Sequence, residues 1–323
     1  MEHESAAPEE LPPLELRKLR DLEVEEPSAP GRPAQLSAAS GVVRRAGYVY
    51  VIGDDELHLG VFELSSNGPG HLRRVLEGEL PDGHEERAKE KPDLEALTLL
   101  PPFEGNPYGA ILGLGSGSGP LRDRGFVCAL APDGSLAEEP REISLEPVYS
   151  LLREHVAELN VEGAATMGDR LWLLQRGNSA LGRNLVAELS LDEVMRSLRE
   201  DLTIDAHELE RVRSYELGEI DGVALTFSDA TPIAERLLVF TASAEDDDGT
   251  IRGSVVGTLD REGSVQRLRT IDRRWKVEGV HAAIDTGVLD FTFVCDQDDP
   301  DAPSPLLVAT MPVDGRLEYE PGG

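Results

Sequence analysis

Five positions in this chain place an oxygen-bearing side chain before a small residue and an apolar run: Ser40-Gly41, Glu95-Ala96, Glu162-Gly163, Asp221-Gly222 and Glu278-Gly279. Brought to one level around a common axis, four carboxylates would repel one another by several kcal/mol, and would take up protons or a cation. A hard divalent ion answers that conflict. All five ligands are oxygens and no His or Cys shares the set. Room for roughly six to eight ligands favours Ca2+ over Zn2+, and Mg2+ is less suited because it demands tight octahedral geometry. On the other reading the Glu-Gly pair is a fold device, its carboxylate accepting backbone N–H groups from a neighbouring unit.

The spacing says which elements bring these residues together. Between the small residues the steps are 55, 67, 59 and 57, longer than a helical-repeat unit and suited to a four-stranded propeller blade with generous loops. After Glu162-Gly163, for example, come Ala164 to Met167, a Gly168-Asp169 turn, Leu171 to Leu174, a polar loop from Gln175, Leu185 to Leu189, and Arg211 to Tyr215. Short apolar runs bounded by Gly, Asp and Pro are strand signals. Leu191, Val194, Met195, Leu198 and Leu202 instead recur at helical spacing, which predicts a helix or two over 191–209, inserted before the outer strand of the third blade. The last repeat supplies three strands, ending at Leu306 to Thr310, and the alternating segment Leu14 to Val24 precedes the first signature. Pairing the two closes the ring and removes exposed sheet edges. The chain therefore reads as all-β: one five-bladed propeller over 13–323, closed by an N-terminal strand, after a disordered acidic start at 1–12 rich in Glu, Ala and Pro.

A net charge of −31 argues against nucleic acid and anionic membranes as partners, since both repel an acidic surface. No apolar stretch approaches the length of a membrane span, and the opening Met1-Glu2-His3-Glu4 is unlike a basic signal start, so a cytoplasmic location is expected. Cys128 and Cys295 fit a reduced compartment, with a single inter-strand disulfide left open.

The strings Lys91 to Leu97, Leu159 to Ala164 and Lys276 to Val280 resemble those of an uncharacterised bacterial propeller family, itself similar to the domain called esterase-like activity of phytase. The resemblance covers most of the chain and implies a propeller with a hint of ester or phosphoester chemistry. In architecture the chain also resembles the calcium-activated nucleotidases, or apyrases, five-bladed propellers whose central Ca2+ is held by one Ser or Glu from each innermost strand. That resemblance implies metal-ligand roles for Ser40, Glu95, Glu162 and Glu278, while Asp221 stands where the family uses a Ser. The nucleotidase's base-stacking residues have no match here.

In a propeller the loops joining second and third strands open on the same face as the start of the innermost strands. Those loops are Asp54 to His58, Ser116 to Arg124, Gln175 to Asn184, Ser243 to Asp248 and Asp296 to Asp299. Arg122, Arg124, Arg176, Arg183, Lys91 and Lys276 then fall near one rim, where planar donors and a cation would recognise a small anion; a surface ion pair is the plainer role for each one singly. The sequence holds no Gly-x-Ser-x-Gly elbow, which speaks against a serine esterase. Two functions follow. As an enzyme the chain hydrolyses a phosphoester or related anionic ester with Ca2+ as cofactor, Asp54 or Asp296 as base, and Arg176 with Arg122 or Arg124 holding the anion. As a binding module it keeps a structural ion and recognises a small anion or a protein partner without turnover.

Overall fold

A computed structural model describes residues 2–177, 183–234, 237–246, 248–285, 287–296 and 299–312. In chain order its strands are β1 (Glu2–Ser5) and β2 (Arg17–Asp21), then β3 (Ala39–Arg45), β4 (Tyr48–Gly53), β5 (His58–Glu63) and β6 (His71–Arg74) of a first blade. Helix α1 (His84–Glu90) leads into the second blade, β7 (Leu94–Leu100), β8 (Ala110–Gly115), β9 (Arg124–Ala129) and β10 (Arg141–Ser144). After α2 (Glu146–Leu152) comes the third, β11 (Val161–Met167), β12 (Arg170–Gln175), β13 (Asn184–Ser190) and β14 (Arg211–Glu216), with α3 (Leu191–Asp201) inserted before β14. A two-residue strand, β15 (Glu219–Ile220), opens the fourth blade, β16 (Val223–Ala234), β17 (Leu237–Glu245), β18 (Ile251–Asp260) and β19 (Val265–Thr270). The fifth holds β20 (Val277–Asp285), β21 (Val288–Cys295) and β22 (Pro305–Pro312), and its fourth strand is β2.

The five innermost strands β3, β7, β11, β16 and β20 pack each against the next, and β20 returns to β3. Five apolar clusters fill the five seams between blades, for example Trp172, Phe227 and Phe240 between the third and fourth, and Val239, Phe291 and Phe293 between the fourth and fifth. Each such side chain stabilises the seam by about 1.5–3 kcal/mol. A five-bladed propeller is thus the architecture.

Closure follows the expected route in a narrower register: Arg17 pairs with Val308, Lys18 with Leu307, Arg20 with Leu306 and Asp21 with Pro305. The acidic start departs from the expectation of disorder over 1–12. Strand β1 lies parallel to β14, aligning Glu2 with Arg213 and Glu4 with Tyr215. The chain then laces the outer edge of the fourth blade, where the Glu9 N–H donates to the Leu268 carbonyl at 2.7 Å and the Leu14 N–H to that of Thr270 at 2.8 Å. The predicted helix over 191–209 ends at Asp201, where Leu202 turns left-handed. Cys128 and Cys295 are both buried free thiols, so they form no disulfide. No helix among the described residues is long and apolar enough to cross a membrane.

Candidate metal centre at the channel mouth

Every innermost strand carries the same irregularity, at its second residue in β3, β7, β11 and β20 and midway along β16. Its register against the second strand slips between Ala39 and Gly41, Leu94 and Ala96, Val161 and Gly163, Phe227 and Asp229, and Val277 and Gly279. One residue is therefore bulged out of each ladder: Ser40, Glu95, Glu162, Ser228 and Glu278. A β-bulge re-aims a side chain, and the bulged Glu95 and Glu162, and Glu162 and Glu278, are near enough for one charge to act on the next.

Asp221 is not among them. It sits in the turn of the β15–β16 hairpin, with φ of 52° followed by Gly222 at 83°, the left-handed pair that an Asp-Gly hairpin turn requires. Its exposed carboxylate pairs with Arg273 at 2.6 Å. The fourth blade's ring residue is Ser228, which sequence reasoning missed because Asp229, and not a small residue, follows it. Seven positions beyond the false signature, Ser228 lies midway along β16 and is nearly inaccessible, at 1%.

The small residues have a tertiary reason. A Cβ at Gly163 would meet the Asp229 Cα at 3.1 Å and the Ala230 nitrogen at 2.9 Å; one at Gly279 would meet the Ser40 carbonyl oxygen at 2.8 Å. At Gly163 and Gly279 the neighbouring inner strand lies too close for a side chain. Asp229 turns the same proximity into a bridge: fully buried, its carboxylate accepts the N–H of Ala230 at 2.7 Å and that of Val280, in the next blade, at 2.8 Å. Burial nevertheless raises its pKa well above the ordinary carboxylate range. The fold-device reading describes Asp229, and among the described residues no backbone N–H is seen to donate to Glu95, Glu162 or Glu278.

Around the ring each glutamate faces a cation and further acids. Glu162 accepts from Asn160 Nδ2 at 2.6 Å and lies 3.6 Å from Arg176, which also reaches Glu245. Glu278 lies 3.6 Å from Lys276, which stands 3.4 Å from Asp296. Near Glu95, Lys91 bonds Asp54 and stands 2.8 Å from Asp93, and Arg122 reaches Asp93 at 2.8 Å. Burial first, and then the neighbouring acids, pushes Glu162 up to about 8, against the pull of Arg176. Glu95 is raised by burial and by Glu162, Glu278 by burial against Lys276, and Asp54 reaches about 7. The two serines add oxygens: Ser40 Oγ donates to the Leu94 carbonyl at 2.6 Å, and Ser228 Oγ to Ser243 Oγ at 3.3 Å.

Of the rim residues expected to hold an anion, Lys91, Arg122, Arg176 and Lys276 come to the ring, each already facing carboxylates. Arg124 does not; it turns outward to the Glu77 carbonyl at 3.0 Å and to Glu142 at 3.5 Å. Arg183 is exposed at the approach to β13. Asp54 and Asp296 line one cleft of about 240 Å3 between the first and fifth blades, together with Ser37, Asp55, Lys91 and Asp299. Their backbones meet on Ala38, which bridges Asp296 and accepts the Asp54 N–H at 3.1 Å. Asn178, Asp247, Gln297 and Asp298, expected on the rim, lie outside the described residues.

With every group ionised, Glu95, Glu162, Glu278, Asp54, Asp93, Asp296 and Glu245 oppose Lys91, Arg122, Arg176 and Lys276, seven charges against four. The balance is acidic, and the donor set is all oxygen. Those residues fit a hard cation.

Residues 35–311 match the family described as "Family of unknown function (DUF6929)". No curated protein matches the chain. Among solved structures the chain is similar to the glutaminyl cyclase of Myxococcus xanthus, at 11% identity and a TM-score of 0.48 over 94% of this chain and 100% of that one. It is also similar to a luciferin-regenerating enzyme, at 10% identity and 0.42 over 86% and 92% of the two chains, and to a streptogramin B lyase, at 12% and 0.39 over 88% and 86%. Nothing about this chain's chemistry follows from their names.

Proposed function

We propose that this chain, which belongs to that family of unknown function, holds one divalent cation, Ca2+ in preference to Mg2+, at the ring of Ser40, Glu95, Glu162, Ser228 and Glu278, and hydrolyses a phosphoester or related anionic ester in the cleft beside it. The observation that supports the reading is the five-fold bulge, which lifts Ser40, Glu95, Glu162, Ser228 and Glu278, all oxygen donors, out of their ladders. Ser228 also supports the likeness to calcium-activated nucleotidases, because it supplies the serine that Asp221 lacked.

When bound, the ion supplies Lewis-acid polarisation of a substrate oxygen. The chain's own residues do the rest. Asp54, with a pKa of about 7, suits a general base at neutral pH: it takes a proton from the attacking water as the new P–O bond forms, the ester P–O bond breaks, and the leaving oxygen takes up the proton that Asp54 gained. Lys91 fixes Asp54 in place, and Asp296 faces the same cleft as the alternative base. Arg176 and Arg122 contact the anion by exchanging part of their carboxylate bonding for it.

One observation favours the second reading, a binding module with a structural ion: the four rim cations already face carboxylates. Phosphomonoesters, nucleotides, inositol phosphates and simple carboxylic esters, assayed at low salt with Ca2+ or with chelator, separate the two. Hydrolysis is expected to need Ca2+, to fall by orders of magnitude in Glu95→Gln and by less in Arg176→Ala. Turnover that survives both changes refutes the hydrolase. Saturable anion binding without turnover supports the module.

A further inference from the structure

Carboxylate oxygens of Asp54, Asp93 and Glu95 lie within 4.8 Å of one another, close enough to share one hard cation. They come from two blades, Asp54 from the loop after β4 and the other two from the start of β7. Backbone bonds fix the geometry: Asp93 has φ of 56°, its N–H donates to the Asp54 carbonyl at 3.0 Å, and its carbonyl accepts the Ser116 N–H at 2.8 Å. Ser118, at 3.1 Å, and Arg122, at 2.8 Å, both donate to Asp93 Oδ2, which leaves Oδ1 to Lys91. The Lys91 ammonium sits among the three acids, bonded to Asp54 and 2.8 Å from Asp93 Oδ1. Asp54, Glu95 and Asp93 all favour its charged form. Its backbone is held as well, since the Lys91 N–H caps α1 on the Arg87 carbonyl at 2.8 Å and Pro92 follows.

We infer that Lys91 is a tethered cation: its ammonium fills a second oxygen-ligated cation site beside the ring and so limits the channel mouth to one divalent ion. The inference rests on the proposed ring site for the first ion alone. An ammonium delivers one charge where a divalent ion delivers two, so the neighbouring glutamates keep an acidic excess for the ring ion. It also keeps Asp54 aimed at the cleft without making it a metal ligand.

Calcium titrated calorimetrically into the full-length chain counts the ions. One per chain is expected in the wild type and two in Lys91→Met, with the added ion lost again when Asp54→Asn is combined with Lys91→Met. If the wild type binds none while Lys91→Met binds one, the ring reading falls and the tethered cation stands. A folded Lys91→Met chain that binds no more Ca2+ than the wild type overturns the inference. Should Lys91→Met not fold, Asp54→Asn in the wild-type background decides: the count is expected to stay at one, and a fall to zero means that these acids hold the first ion, which overturns it as well.

Discussion

Glu162 carries the clearest pH signature at the scale of single residues. Its carboxyl moves from an ordinary value of 4.5 to about 8, chiefly through burial, with Glu278 adding to the rise and Arg176 opposing it. Between those two values the folded chain holds a proton that the unfolded chain has released. Stability of the cation-free protein is therefore greatest below the lower value and is lost as pH rises through the window, by up to about 1.4 kcal/mol per pH unit for one such group. Glu95, Glu278, Asp54 and Asp229 shift in the same direction and steepen the loss. In chelator, the melting temperature is expected to fall between pH 5 and 8, and Glu162→Gln to flatten the profile. Added Ca2+ should raise the wild-type melting temperature most at the alkaline end, where it no longer competes with protons. A wild-type profile that rises over this range, or one indifferent to Ca2+ at pH 8, speaks against the ring as a cation site.

For the inner strands as elements, the decisive fact is how closely they converge. Gly163 exists because Asp229 of the next strand lies where its Cβ would go, so Gly163→Ala must push two blades apart, at about 1–3 kcal/mol. Asp229→Ala instead removes the acceptor of two buried N–H groups, Ala230 and Val280, each costing about 1–3 kcal/mol when left unpaired. Asp229→Asn should recover part of that loss because it retains one carbonyl acceptor. Denaturant unfolding measures all three, and an Asp229→Ala chain as stable as the wild type would remove the bridge from the account. The same elements explain what the sequence reading mistook. Asp221-Gly222 has the residues of the signature, yet an Asp-Gly pair is also the strongest short hairpin-turn signal, and the turn claims it. Ser228-Asp229 hides the true position, since the rule of a small following residue is broken by an acid that finds two backbone donors across the seam.

For the whole molecule, residues 2–24 tie three blades together: β1 edges the third, residues 9–14 lace the fourth, and β2 completes the fifth. Deleting 2–12 removes the pairing with β14 and the ion pairs of Glu2 with Arg211 and Arg213, which are exposed and worth little singly. A modest fall in melting temperature with unfolding still cooperative is expected. Deleting 2–24 also strips β22 of its outer partner and removes Leu22, which is fully buried in the seam with the first blade, so that Leu36, Val294 and Leu306 lose its cover. That chain should lose cooperative unfolding or associate through the exposed edge. Calorimetry and sedimentation test both, and equal behaviour of the two truncations would show that closure does not depend on β2.

Local patterns determined the repeat, the strands, the number of blades and the closing segment, because period-two apolar runs and turn residues act through neighbours in the chain. Ser40, Glu95, Glu162 and Glu278 were legible for the same reason, each lying at the head of a run with a small residue behind it. Only the tertiary structure decided that Ser228 completes the ring, that Arg124 turns away, that Asp229 bridges two blades and that Lys91 lies among three acids. Each of those depends on the distance between backbones of different blades, where a carboxylate meets an N–H or an ammonium from a strand far along the chain, and no spacing within one strand encodes that distance.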